Sequence, residues 1–131
     1  MNRLPTIARV LLGLIFFVFG LNGFLNFLPP PEVPESGGKF IGALIESGYL
    51  WSLVKGTEVV AGFLLLIGRW VPLALTLLAP IVVNIVAFHL FLAPGAAAMV
   101  VPLLVLVLEI YLARCYASSF QGVLDAGAQP G

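Results

Sequence analysis

The chain has 131 residues, of which 61% are hydrophobic and only 9% charged, and its formal net charge is zero. Soluble domains carry about 25% charged residues because their whole surface faces water, so this composition excludes an ordinary soluble domain and predicts a lipid bilayer as the surroundings. The balanced charge points to no nucleic acid partner. The length allows one domain, and the single cysteine, Cys115, excludes both an internal disulfide and a CxxC redox pair.

Four apolar stretches approach the roughly 20 residues that a helix needs to cross a bilayer. In chain order they cover about 7–27, 50–68, 71–92 and 96–116. The links Arg69–Trp70 and Ala93–Gly95 are so short that consecutive helices must run antiparallel. The sequence therefore predicts an all-α membrane protein, with residues 1–131 forming a single domain that is an antiparallel bundle of four transmembrane helices.

One long connection, 28–49, separates the first two predicted transmembrane helices. It opens with a proline-rich segment, Pro29 to Pro34, which ends the first helix and holds the chain extended. Residues 39–47 follow with apolar side chains at helical spacing, but they are far too few to cross the bilayer. We therefore predict a short amphipathic helix in this loop. Residues from about 120 to 131 are predicted to be a disordered tail.

The basic residues predict the orientation of the bundle. All the arginines fall at one end, and they are Arg3, Arg9, Arg69 and Arg114. The long loop at the opposite end carries three glutamates against one lysine. The positive-inside rule therefore predicts that both termini are cytoplasmic and that the proline-rich loop is extracytoplasmic.

Six polar side chains fall in the predicted outer half of the bundle, and they are Asn22, Asn26, Lys55, Glu58, Asn84 and His89. A charge at the bilayer centre costs about 2.5 to 3.5 kcal/mol, so such residues normally face the bundle interior and pair. The i,i+3 spacing of Lys55 and Glu58 puts them on one helix face. We hypothesise that the six form a ligand-binding pocket that opens outward, between the first three transmembrane helices and beneath the proline-rich segment. In this pocket Glu58 would act as an acid or proton carrier, with His89 as its partner.

A structural interpretation of the same residues stays open. The Lys55–Glu58 pair and the amide hydrogen bonds could simply lock the bundle, and asparagines in membranes are more often contacts between helices than ligands. His89 favours a structural or interfacial role, because Asn84 and His89 lie on diverging helix faces. Glu109 stands alone near the middle of the fourth predicted helix. No residue pattern identifies a catalytic group, and one histidine with scattered carboxylates does not make a metal site.

Small residues predict where two of the helices approach closely. They are Gly13, Gly20 and Gly23 on the first helix, and Gly56, Ala61 and Gly62 on the second. Small side chains let transmembrane helices pack backbone against backbone.

Two stretches of the chain resemble the DoxX family, ARVLLGLIFFVFGLNGF (8–24) and KGTEVVAGFLLLIGRWVPLALTLLAPIVVNIVAFHLFL (55–92). The acidic residue, the small-residue step, the aliphatic run, and the Gly and short turn that follow are similar to the most recognisable block of that family. The resemblance runs from about Arg9 to Tyr116. It implies a bacterial inner-membrane protein of four helices, linked to thiosulfate:quinone oxidoreduction and terminal oxidase or to complexes of oxidative stress and thiol homeostasis.

Three functional hypotheses follow. The first is an accessory subunit of a redox-associated or quinone-associated complex, in which the outward pocket binds a small molecule; no cofactor motif is evident, and a quinone is the cofactor that this hypothesis allows. The second is a small proton-coupled transporter. The third is a scaffold or assembly factor whose outer loop holds a membrane or periplasmic protein, and a homo-oligomer is a further arrangement left open. An enzyme ranks last, because Glu58 has no convincing catalytic partner.

Overall fold

A computed structural model describes residues 2–131, and its regular structure over that range is entirely helical. The helices are α1 (Leu4–Leu25), α2 (Glu35–Glu46), α3 (Leu50–Ile67), α4 (Val71–Phe91) and α5 (Val100–Cys115), followed by a short 3-10 helix (Ala117–Phe120). Helix α1 contacts α3 and α5, α4 contacts the same two helices, and α2 contacts α3. The shared core contains Leu12 and Phe16 of α1, Leu65 of α3, Leu75 and Leu78 of α4, and Leu112 of α5.

Three of these helices, α1, α3 and α4, are long and apolar enough to cross a membrane. Their outward faces carry large apolar side chains such as Ile7, Leu53 and Val83, each more than half exposed. A bilayer would cover these side chains, and the helical hydrogen bonds satisfy the backbone there. Helix α5 has 16 residues and is about 24 Å long, which is shorter than the roughly 30 Å of a hydrocarbon core.

Helix α1 begins at Leu4 instead of about residue 7, and α2 begins at Glu35 instead of residue 39. Two further helix ends also differ from the sequence prediction, and asparagine and proline explain them. Helix α1 ends at Leu25 because Asn26 adopts a left-handed conformation (φ 52°), which asparagine tolerates better than most residues. Helix α5 begins at Val100 instead of about residue 96. Pro102 lies in the first turn of α5, where the N–H that proline lacks would have no partner within the helix. Residues 96–99 form tighter turns, in which the Val100 N–H donates to Ala97 O at 3.4 Å.

Helices α1 and α3 meet along what we call the α1–α3 seam, at Gly13, Gly20 and Gly23 of α1 and Gly62 of α3. A Cβ atom placed on Gly62 would lie 2.6 Å from the backbone N of Phe17, and one on Gly13 would lie 2.9 Å from Gly62 O. The predicted close approach of these helices is therefore confirmed. The prediction is wrong for Gly56, because a Cβ there would meet nothing within 4 Å; it lies on a different face of α3.

Side chains from the opposite helix satisfy the carbonyl groups at both ends of the seam. Arg9 of α1 donates to Leu65 O and, at 3.3 Å, to Leu66 O at the C-terminus of α3. Trp51 of α3 donates its Nε1–H to Gly23 O near the C-terminus of α1 at 3.1 Å. The last carbonyl groups of a helix have no partner within it, and a cation there also complements the helix dipole. Each helix thus supplies hydrogen-bond donors to the C-terminal carbonyl groups of the other.

Helix α2 lies against the C-terminal end of α4. Ser36 Oγ donates to Leu92 O at 2.9 Å, and the rings of Phe40 and Phe88 are 5.8 Å apart. The outer face of α2 is polar, with an exposed ion pair between Lys39 and Glu35. An amphipathic helix thus follows the extended proline segment and packs on α3 and α4.

Candidate functional site

A cavity of about 360 Å³ lies between α3 and α4 and is bounded on a third side by α2. Below we call it the α2–α3–α4 cavity. Its lining residues are Phe40, Ile41 and Leu44 of α2; Trp51, Val54, Lys55 and Glu58 of α3; and Pro80, Ile81, Asn84, Ile85, Phe88 and His89 of α4. The walls are thus largely apolar and aromatic, with four polar side chains among them. Helix α1 contributes no lining residue, whereas the sequence placed the pocket between the first three transmembrane helices.

Lys55 and Glu58 form an ion pair at this cavity. The Lys55 Nζ lies 3.0 Å from Glu58 Oε2, and the two side chains are 18% and 4% exposed, in agreement with their i,i+3 spacing. Within residues 2–131, no well-aligned hydrogen bond reaches that carboxylate oxygen. The Lys55 ammonium group provides the neutralisation that a buried charge needs. The carboxylate can still accept further hydrogen bonds.

The Lys55 side chain reaches the cavity from the α1–α3 seam. A Cβ atom on Gly23 would lie 2.5 Å from Lys55 Cγ, so the glycine makes room for the lysine stem. The Nζ atom lies 4.9 Å from the centre of the Trp51 ring, a cation–π contact. Lys55 is thus held by three neighbours: Gly23, Trp51 and Glu58.

Asn84 and His89 border the same cavity from α4, although their five-residue separation predicted diverging faces. Both reach it because the cavity extends around a broad strip of α4 that also includes Ile85. The His89 Nδ1 atom is 2.8 Å from Ile85 O, and its ring packs edge-on against Phe88 with centroids 5.2 Å apart. The histidine is therefore held in one orientation by its own helix.

Asn22 and Asn26 end α1 and do not line the cavity. Asn22 Oδ1 accepts a hydrogen bond from the Leu28 N–H at 2.7 Å, and its carbonyl accepts from the Asn26 N–H at 2.9 Å. Asn26 itself is exposed. The structure thus brings four of the six predicted pocket residues together, and the two asparagines of α1 end that helix instead. Ligand binding by any of the six stays a prediction.

Glu109 is the other buried carboxyl group, and it lies apart from this cavity. It shares the buried face of α5 with Pro102, Val105 and Leu112 and is only 7% exposed. Its Oε2 atom has no hydrogen-bond partner in the described part of the chain. Within residues 2–131, no three His, Cys, Asp or Glu side chains are grouped closely enough to hold a metal ion.

The aromatic lining of the cavity was not predicted. None of Phe40, Trp51 and Phe88 was assigned to a site from the sequence. Trp51 lies four residues before Lys55 and seven before Glu58, so helical periodicity places all three on one face of α3. That spacing was a usable signal for Trp51, whereas the contact of Phe40 with Phe88 depends on tertiary packing.

A helical protein with three apolar helices of membrane-crossing length, and an ion pair buried within one of them, belongs to the class of integral membrane proteins. The chain belongs to the DoxX family, whose model matches residues 4–91. The match covers α1 through α4 and thus every residue that lines the cavity. No curated protein and no solved structure was found to match the chain.

Proposed function

We propose that this protein is an accessory subunit of a redox-associated or quinone-associated membrane complex and holds a small molecule in the α2–α3–α4 cavity. One observation carries the proposal: the Lys55–Glu58 pair lies in an apolar helix and yet borders about 360 Å³ of open space. Ligand sites are commonly apolar cavities of about 300 to 1,000 Å³ with a few polar groups. An ion pair that served only to lock the helices would be expected to have packed side chains on every side.

The membrane domain in this proposal consists of α1, α3, α4 and α5 as an antiparallel four-helix bundle. Residues 96–99 add about 8 Å to α5 at the 2.0 Å rise of a 3-10 turn, which brings the segment close to the thickness of a hydrocarbon core. The arginines at one end favour cytoplasmic termini in a bacterial inner membrane. Helix α2 and the mouth of the cavity then lie on the periplasmic side, where a partner protein could reach them.

A quinone ring fits the residues that line the cavity. The aromatic rings of Phe40, Trp51 and Phe88 offer flat apolar contacts, and the Lys55 ammonium and the Asn84 amide are hydrogen-bond donors for carbonyl oxygens. The redox association is what the resemblance to the DoxX family implies, and the size and polarity proposed for the ligand follow from the cavity.

The test is to purify the full chain in mild detergent and to quantify bound small molecules by mass spectrometry. We expect about one quinone-class molecule per chain in the wild type and a loss of at least tenfold in Lys55→Met/Glu58→Leu, which removes both charges together. Gly56→Ala on the same helix should retain the ligand, because its new methyl group meets no neighbour. A wild-type protein that is always free of ligand would overturn the proposal.

A proton-coupled transporter is the second candidate, and the burial of Glu58 favours it. Its side chain is only 4% exposed and has one charged neighbour, Lys55, and intramembrane carboxylates often carry protons. In proteoliposomes, substrate-dependent proton release that disappears in Glu58→Gln would support transport. A scaffold role for the outer loop would instead require that deletion of residues 29–38 abolishes partner binding while membrane insertion is retained.

A further inference from the structure

His89 offers the cavity a hydrogen-bond acceptor. Its Nδ1 atom lies 2.8 Å from Ile85 O, and a carbonyl oxygen only accepts hydrogen bonds, so Nδ1 carries a proton. In the neutral imidazole ring the other nitrogen, Nε2, is then an acceptor. Because Nδ1 points back to the backbone of α4, Nε2 points away from that helix.

The neighbours of His89 leave this acceptor for a ligand. Phe88 packs edge-on against the imidazole ring and offers no donor. The ammonium group of Lys55 is engaged by Glu58 at 3.0 Å and by the Trp51 ring at 4.9 Å. No hydrogen bond to Nε2 is present within residues 2–131, so a ligand that donates a hydrogen bond would find a partner there.

The apolar lining restricts the rest of the ligand. Phe40, Trp51 and Phe88 supply aromatic surface from three different helices, and the aliphatic residues Ile81 and Ile85 complete the wall of α4. Flat rings stack well on such surfaces. The Lys55–Glu58 pair is neutral as a unit, so it neither requires nor favours a charged ligand. A neutral ring with one or more hydroxyl groups, such as the reduced (quinol) form of a quinone, matches both the walls and the acceptor.

We propose that the α2–α3–α4 cavity selects neutral phenol-class molecules, and that the ligand hydroxyl donates to His89 Nε2. This inference rests on the proposed function, since it assumes that the cavity takes a small molecule. It adds a preference for ligands that carry a hydroxyl group, which the volume of the cavity alone does not predict. A site built to hydrogen-bond a hydroxyl group discriminates strongly against an analogue that lacks it.

The test compares 4-pentylphenol with its methyl ether, 4-pentylanisole, which has the same ring and chain but no O–H donor. Dissociation constants are measured for the full chain in nanodiscs and corrected with empty nanodiscs for partitioning into lipid. We expect the phenol to bind at least tenfold more tightly than the ether. That ratio should fall to about one in His89→Phe, and it should persist in Thr57→Val, which alters a separate groove on α3.

A second variant keeps the test decisive if His89→Phe does not fold. His89→Gln replaces the imidazole with an amide whose oxygen accepts hydrogen bonds, so it should retain part of the preference for the phenol. Equal binding of phenol and ether to the wild type would overturn the hydroxyl preference and leave the cavity as a binding site. Binding of neither probe would overturn both this inference and the idea that the cavity takes such rings.

Discussion

The two packing faces of α3 differ in how they are filled. Toward α1, the helices touch through backbone atoms, and a single methyl group on Gly62 would lie 2.6 Å from Phe17 N. Toward α4, the N-terminal half of α3 borders a cavity of about 360 Å³ that α2 covers but does not fill. One helix thus has a face with no spare volume and a face with room for a ligand.

The difference teaches how a small membrane protein can combine stability with a polar site. Lipid tails are as apolar as the helix surfaces, so the hydrophobic effect does not drive the helices together, and close packing has to hold them. The α1–α3 seam supplies that packing, and the short turn Gly68–Trp70 keeps α3 beside α4 through the chain itself. Because the α3–α4 contact is not required to be tight everywhere, it can accommodate Lys55 and Glu58.

The largest expected effect comes from breaking the link between the two faces. Lys55 packs its stem on the seam and presents its ammonium group to Glu58 in the cavity. Lys55→Met leaves a buried carboxylate without its partner, which we expect to cost about 3 to 5 kcal/mol of unfolding free energy. Lys55→Met/Glu58→Leu should recover most of that loss, because it removes both charges. Reversible unfolding in mixed micelles measures both; equal losses in the two variants would contradict an ion pair.

The second test adds one methyl group to the seam face of α3 and one to a part of α3 that lies outside both the seam and the cavity. Gly62→Ala should destabilise the protein by about 2 to 3 kcal/mol, the range expected for an overpacked core, because the backbone of Phe17 has no room to move away. Gly56→Ala is the matched control on the same helix, and its methyl group meets nothing within 4 Å. It should be neutral or slightly stabilising, since alanine favours helix more than glycine does. The same unfolding assay measures both variants. Similar losses of unfolding free energy at Gly62 and Gly56 would show that the seam is not packed more tightly than the rest of α3.

Features that depend on local spacing were predictable from the sequence. The long apolar stretches gave α1, α3 and α4 to within a few residues, and the i,i+3 spacing of Lys55 and Glu58 placed them together. Asn22 and Asn26 were predicted to line the pocket, but asparagine side chains compete with the helix for backbone hydrogen bonds. Their predicted place in a pocket did not allow for this role at the end of α1.

The composition of the cavity wall depends on contacts between distant segments. Helix α2 covers the cavity because Ser36 bonds to Leu92 O and Phe40 meets Phe88, and periodicity does not encode pairs about 50 residues apart. The acceptor on His89 likewise follows from its contact with Ile85 O, which requires a rotamer as well as a sequence. The sequence therefore predicted which residues are polar, and the tertiary packing decided which of them share a surface.

A smaller effect is expected where the two faces share Trp51. Its Nε1–H donates to Gly23 O on the seam, while its ring borders the cavity. Trp51→Phe keeps an aromatic ring beside Lys55 but loses that hydrogen bond, so we expect a loss of about 1 kcal/mol in unfolding free energy. Trp51→Leu also loses the cation–π contact and should cost more. If Trp51→Phe had no effect on stability, the hydrogen bond to Gly23 would not hold the seam.

The smallest effect on stability is expected from filling the open face. Ile81 lies on α4 at the cavity wall, and Ile81→Phe would add side-chain volume into space that is already open. We expect a change of less than about 0.5 kcal/mol in unfolding free energy, whereas enlarged side chains in a packed core typically cost about 1 to 3 kcal/mol. The same substitution should weaken binding of 4-pentylphenol at least tenfold, because the new ring occupies the volume that the ligand would use. A stable variant with unchanged binding would place the ligand elsewhere, and a strongly destabilised one would show that this face of α3 and α4 is packed after all.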